Sequence, residues 1–250
     1  MNRSLTMMYG KQFVNGALVT ITKRLMILGA VVLATFVPAI AQNSELQEKL
    51  AAVKQAAAEN KQALLQYQWL ETTQLTLKGE PHPPSQNQCQ YGPDGQVQKT
   101  LISPPPEPPS GGRAKERIIA RKKAEMQQYM QDVKGVLAQY VPPDPQKMQQ
   151  AFQAGNVSLN PAGSVVNLIF TNYAQQGDQM TLTFDPAAKK VVALSVNTYM
   201  GDGKDAVTLQ VQMASLPNGL NYTQQTVLNA TAKQLVVTTT NSNYQKLGGN

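Results

Sequence analysis

The sequence predicts an α+β fold: a curved antiparallel β-sheet of about nine strands, an unclosed half-barrel, covered on one face by helices. Three observations carry this. After Pro161 apolar and polar residues alternate with a period of two, while 44–65 and 113–154 carry the helical period instead. The strand candidates are separated by short turn sequences, which join antiparallel neighbours and leave one face apolar and one polar. At 250 residues and 42% hydrophobic, the chain is long enough to bury one good core.

In chain order, residues 1–24 hold Arg3, Lys11, Lys23 and Arg24 and no acid, and 25–37 (LMILGAVVLATFV) is an uncharged apolar run too short to span a bilayer. Ala39-Ile40-Ala41 then has the small-x-small form of a signal-peptidase site, so 1–41 reads as a signal peptide and the mature chain as one domain, 42–250. An uncleaved anchor is the alternative, and Met7, Met8 and Met26 are candidate true starts. Gln42 at the cleavage point leaves no cysteine for a lipoprotein anchor. The expected location is the bacterial periplasm, since an exported chain with one cysteine builds no internal disulfide. Removing 1–41 lowers the net charge from +7 to 18 basic against 15 acidic residues, and the argument for a nucleic-acid partner goes with it.

Ser44-Glu45-Leu46-Gln47 has the form of a capping box and opens a helix over 44–65. From Tyr67 the aromatic and β-branched run YQWLETTQLTL is a long first strand that stops at Gly79 and Pro81. Residues 88–91 and 96–102 form a hairpin around Gly92-Pro93-Asp94-Gly95. The proline-rich segment 103–112 lacks donors and is a linker. A helical insertion follows at 113–155. In it Ile119, Met126, Met130, Val133 and Leu137 fall within roughly 60° on a helical wheel. Asp144-Pro145 caps a short second helix that ends at Gly155, with Met148 and Phe152 on its inner face. Six strands remain, around 166–171, 180–184, 192–196, 207–213, 220–228 and 233–244.

The stretches 46–77 and, more closely, Met180-Thr-Leu-Thr-Phe-Asp-Pro-Ala-Ala-Lys-Lys-Val-Val-Ala-Leu194, with 207–213 and Pro217-Asn-Gly-Leu-Asn-Tyr222, resemble the bacterial outer-membrane lipoprotein carrier superfamily. The resemblance implies an unclosed barrel with a helical lid that shelters acyl chains. In this chain the linker and helices at 103–154 stand where the carriers' middle strands run, and no functional residue is carried over.

Catalysis needs a nucleophile with a base, paired carboxylates or a metal. His82 is the only imidazole and lies among prolines, and Cys89 has no partner base in the pattern, so no catalytic residue, metal site or cofactor is expected. Cys89 reads as a buried thiol, or else as one that pairs with another chain. Asp202 and Asp205 lie in a turn shorter than a calcium loop. Tyr67, Trp69, Met126, Met130, Met148 and Phe152 either line a ligand cavity or form ordinary core. Arg113, Arg117 and Arg121 recur every four residues opposite the apolar stripe, as a solvated face or as a membrane-surface patch for anionic headgroups. The expected function is a non-catalytic binding or carrier protein for a lipid, acyl chain or other apolar small molecule. The alternative is an envelope assembly factor with a self-filled core and a protein partner.

Overall fold

The computed structural model describes residues 48, 51, 55, 58–104 and 113–248. The expected leader at 1–41, half of the helix expected at 44–65 and most of the expected linker at 103–112 therefore lie outside the described residues. Among those that are described, no helix is long and apolar enough to cross a membrane.

The sheet is antiparallel throughout and has eleven strands. They are β1 (Tyr67–Leu77), β2 (Glu80–Pro81), β3 (Ser85–Tyr91), β4 (Val97–Leu101), β5 (Val157–Ala162), β6 (Val165–Thr171), β7 (Gln179–Asp185), β8 (Lys190–Met200), β9 (Asp205–Ser215), β10 (Asn221–Ala230) and β11 (Leu235–Lys246). Their order is β4-β3-β1-β11-β10-β9-β8-β7-β6-β5, with β2 paired to β1. The helices are α1 (58–64), α2 (Arg113–Leu137) and α3 (Pro145–Gln153).

The two strands beyond the expected nine are β2, only two residues long, and β5. Strand β5 escapes a reading of the sequence because it contains Pro161, which cannot donate to a ladder. It can sit there because β5 pairs only with β6 and Pro161 lies on a free edge, opposite Val166. Gly163, at φ +66, opens the two-residue turn between them.

One row of side chains explains why the sheet needs a cover. Val157, Phe170, Met180, Val196, Leu209, Leu228, Val237 and Leu75 are successive register partners across β5, β6, β7, β8, β9, β10, β11 and β1. All are apolar. Helices α2 and α3 lie over them, with Val133, Met148 and Ala151 buried and Met126, Met130 and Phe152 packed against the same core. The parallel row Leu168, Leu182, Leu194 and Val211 continues instead into Thr226, Thr239 and Thr73. The apolar face thus narrows toward β1.

Helix α3 has the expected cap: the Asp144 carboxylate accepts from the Gln146 N–H at 2.7 Å, with Pro145 in the first turn. The segment between α2 and α3 is tied to the sheet at Asp178. This buried carboxylate accepts from the backbone N–H groups of Tyr173 (2.6 Å), Ala174 (2.9 Å) and Gln175 (2.7 Å), and from the Tyr140 hydroxyl (2.5 Å). The Tyr140 hydroxyl also lies 2.8 Å from that of Thr198, so strand β8 joins the same network.

Candidate functional site

At the opposite end of the sheet from Asp178 lies a cavity of about 1040 Å³. Two tight turns and one docked helix build it. Between β7 and β8 the Asp185 carboxylate accepts from the N–H groups of Ala187 (2.9 Å) and Ala188 (3.0 Å), which folds Asp-Pro-Ala-Ala back and delivers Lys189 and Lys190 to the rim. Between β9 and β10, Pro217-Asn218-Gly219 closes by a Gly219 N–H to Leu216 carbonyl bond of 2.8 Å, with Gly219 at φ +85. Helix α1 is held by a two-point clamp: the Asn60 amide donates to the Asn221 carbonyl at 2.6 Å and its oxygen accepts from the Asn221 N–H at 2.8 Å.

The irregularities of the sheet gather at this end. Register shifts fall between Gln68 and Leu70, between Thr183 and Phe184, and between Thr223 and Gln225. An extra residue bends its strand and increases the local twist. Three such bends at one end curl the sheet away from a flat packing surface there. The wall left behind is apolar, with Tyr91, Phe184, Val191, Met213 and Leu220, and the rim is polar.

An aromatic group lies beside this wall. Trp69 is buried and stacked on Tyr244, with ring centroids 5.4 Å apart and 9° between planes. It also meets Tyr91 at 5.3 Å, and its indole N–H donates to Asn241 at 3.1 Å. Tyr91 belongs to both the group and the cavity wall. Burial pushes the hydroxyls of Tyr244 and Tyr91 above the usual phenol range. It does the same for Tyr129 and Tyr140, helped by the hydrogen bonds they donate to Asp205 and Asp178.

A pH dependence follows from these shifts. The unfolded phenols titrate near pH 10, so stability tied to the neutral folded form is fully present below about pH 10 and is lost as the pH rises through the higher folded values. Thermal unfolding at about pH 8 and about pH 11 should show a clearly lower Tm in the alkaline sample. An unchanged Tm would contradict the buried, neutral state of these phenols.

The residues singled out from the sequence divide between two places. Tyr67 lines the cavity, and its hydroxyl accepts from the Asn218 amide at 2.8 Å. Trp69 stands behind the wall rather than in it. Met126, Met130, Met148 and Phe152 are core under α2 and α3 and do not line the cavity. The methionine stripe packs against the sheet, where the unbroken apolar row lets the helices sit directly on it. Arg113 opens α2, its side chain outside the described residues, while Arg117 and Arg121 are exposed and Arg121 pairs with Glu125 at 2.9 Å. Cys89 is fully buried, and burial raises its thiol pKa. His82 is exposed in a loop. A second cavity of about 570 Å³ lies between α2 and the β8–β9 turn, bordered by Tyr129, Asp132 and Asp205.

Phe184 and Met213 were legible as strand positions and Val191 lies one residue before an expected strand, but the lysines that share their cavity come from separate parts of the chain. Only the run Lys189-Lys190 after an Asp-Pro turn offered a local signal.

No family model matches the chain, and no curated protein matches it. Among solved structures it is similar to a DUF1329 family protein from Desulfovibrio piger ATCC 29098, at 8% identity and TM-score 0.43, covering 82% of this chain and 94% of that one. It is also similar to a domain assigned to outer membrane lipoprotein sorting from Vibrio parahaemolyticus, at 11% identity and TM-score 0.34, covering 84% of this chain and 94% of that one. The second is of the class the sequence resembles.

Proposed function

We propose that this chain is an exported, non-catalytic protein of the bacterial cell envelope that holds an acyl chain or another apolar ligand in the cavity between α1 and the bulged end of the sheet. The carrying observation is the cavity, about 1040 Å³ with an apolar wall at an end of the sheet that α2 and α3 leave uncovered. Small-molecule sites run to about 1,000 Å³ and set apolar walls against polar groups that fix orientation; here the apolar wall faces a rim rich in polar side chains, among them Glu59, Asn60, Lys61 and Lys190. Each methylene buried against Phe184, Val191 and Met213 contributes about 0.8 kcal/mol before ordering costs. The leader at 1–41 supports export. The raised thiol pKa of Cys89 supports a non-catalytic reading, since a nucleophilic cysteine needs the opposite shift.

The test is uptake of a fluorescent fatty acid, together with native mass spectrometry of protein purified from its own periplasm. Wild type should bind the probe. Met213→Glu, which puts a carboxylate on the cavity wall, should weaken uptake at least tenfold while the far-UV spectrum is retained. Wild-type protein that takes up no probe and carries no lipid would favour the second reading, an envelope assembly factor. That reading has its own observation: among the described residues edge strand β4 is paired on one side only, and Val97, Leu101 and the adjoining Ile102 are 40%, 52% and 53% exposed.

A further inference from the structure

We infer that the cavity selects amphiphiles with an anionic head and that Lys190 is the residue that holds the head. This rests on the proposed function, since it assigns the polar end of the ligand whose apolar end the wall receives.

Four lysines from three separate elements meet on the rim: Lys61 of α1, Lys189 and Lys190 at the β7–β8 turn, and Lys246 of β11. Among the described residues two carboxylates join them, Glu48 and Glu59, both toward the α1 side, and Glu59 accepts from the Gln55 amide at 2.9 Å. The ion pairs among the described residues are Lys99 with Glu71 and Arg121 with Glu125. None of the four rim lysines belongs to either, so the cavity mouth carries an excess of positive charge.

Lys190 differs from the other three. It is half-buried where they are exposed, and its ammonium donates to the Ser215 hydroxyl at 3.0 Å and to the Gly219 carbonyl. Both acceptors are neutral. They orient the ammonium without cancelling its charge, and an ammonium has three N–H donors, so one is left beyond these two bonds. Lys190 lines the same cavity as Val191 and Phe184 of the apolar wall, and its own register partner, Asp185, has its carboxylate engaged by the N–H groups of Ala187 and Ala188. A carboxylate or a phosphate on an acyl chain satisfies both halves: its oxygen accepts the remaining N–H in a charge-assisted bond while the chain lies along the wall. Lys189 and Lys246 add attraction that solvent and salt weaken.

The experiment compares ligands that share one chain: oleate, oleoyl lysophosphatidate and oleyl alcohol, with inorganic phosphate as the headgroup alone. Oleate and the lysophosphatidate should bind wild type at least tenfold more tightly than the alcohol, with a difference that shrinks in high salt. Lys190→Met should remove most of that preference and leave the affinity for oleyl alcohol within about twofold, whereas Lys190→Arg should keep the preference. Because Lys190→Met also breaks two turn bonds, Lys189→Met with Lys246→Met tests the rim charge without them and should reduce the preference by a smaller factor. Equal affinity of wild type for oleate and oleyl alcohol overturns the inference and leaves the acyl-binding reading intact. Binding of none of the three chains overturns both. Inorganic phosphate binding as tightly as the lysophosphatidate overturns the amphiphile and leaves a free-anion site. An undiminished preference in both lysine variants removes the role of the lysines.

Discussion

Replacing Asp178 with alanine is expected to destabilise the protein by about 3–5 kcal/mol, a large share of the roughly 5–15 kcal/mol by which a domain is ordinarily stable. The carboxylate is buried and accepts from three consecutive backbone N–H groups and from the Tyr140 hydroxyl. Alanine leaves the three backbone N–H groups without their acceptor, while the Tyr140 hydroxyl keeps that of Thr198 at 2.8 Å. Each unsatisfied group costs about 1–3 kcal/mol, reduced where the loop can open to water. Tyr140→Phe removes one donor and keeps the carboxylate's three backbone partners, so its cost should be nearer 1 kcal/mol. Urea unfolding with the midpoint and slope compared would separate the two variants. A loss below about 1 kcal/mol for Asp178→Ala would show that the loop and Tyr140 do not depend on this carboxylate.

Phe170→Ala is expected to cost about 3–5 kcal/mol with no change in ligand uptake by the protein that remains folded. Phe170 is fully buried, pairs with Met180 in register and meets the Tyr173 ring edge-on, centroids 5.9 Å apart. Phe184 is nearly as buried, yet it forms part of the cavity wall at the other end of the sheet. Phe184→Ala should therefore enlarge the cavity and alter which chain lengths bind. Equal loss of uptake from both variants would mean that the core and the cavity are one continuous space.

Much of this fold is written in side-chain periodicity. The alternation in 207–213 became the middle of β9, and the stripe through Val133 became the buried face of α2, because burial on one side imposes those periods. Strand β5 escaped because Pro161 marks a break everywhere except on a free edge. The cavity escaped for a different reason. It depends on register shifts at Thr183 and Thr223, and a single inserted residue leaves a mark in the alternation no larger than an ordinary substitution. The methionines read as cavity lining or as core, since adaptable packing and ligand lining use the same side chains, and they lie in or against the core. Asp178 was legible only as a turn residue, because its partner Tyr140 lies 38 positions earlier in the chain.

The pairing of β1 with β11 sets the order in which such a chain can mature. From β5 to β11 every strand meets its sequence neighbour, so those contacts close through short loops and form quickly. Strand β1 has to wait. Its partners, from Leu235 for Leu77 to Lys246 for Tyr67, are more than 150 residues away, and Trp69 reaches Asn241 across 172 positions. A chain emerging from its N-terminus can thus carry β1, β3 and β4 as a detached hairpin group, docking them only after the last strand is available. Completion is tied to arrival of the final segment, and removing β11 would leave two separate sheets with no strand pairing between them.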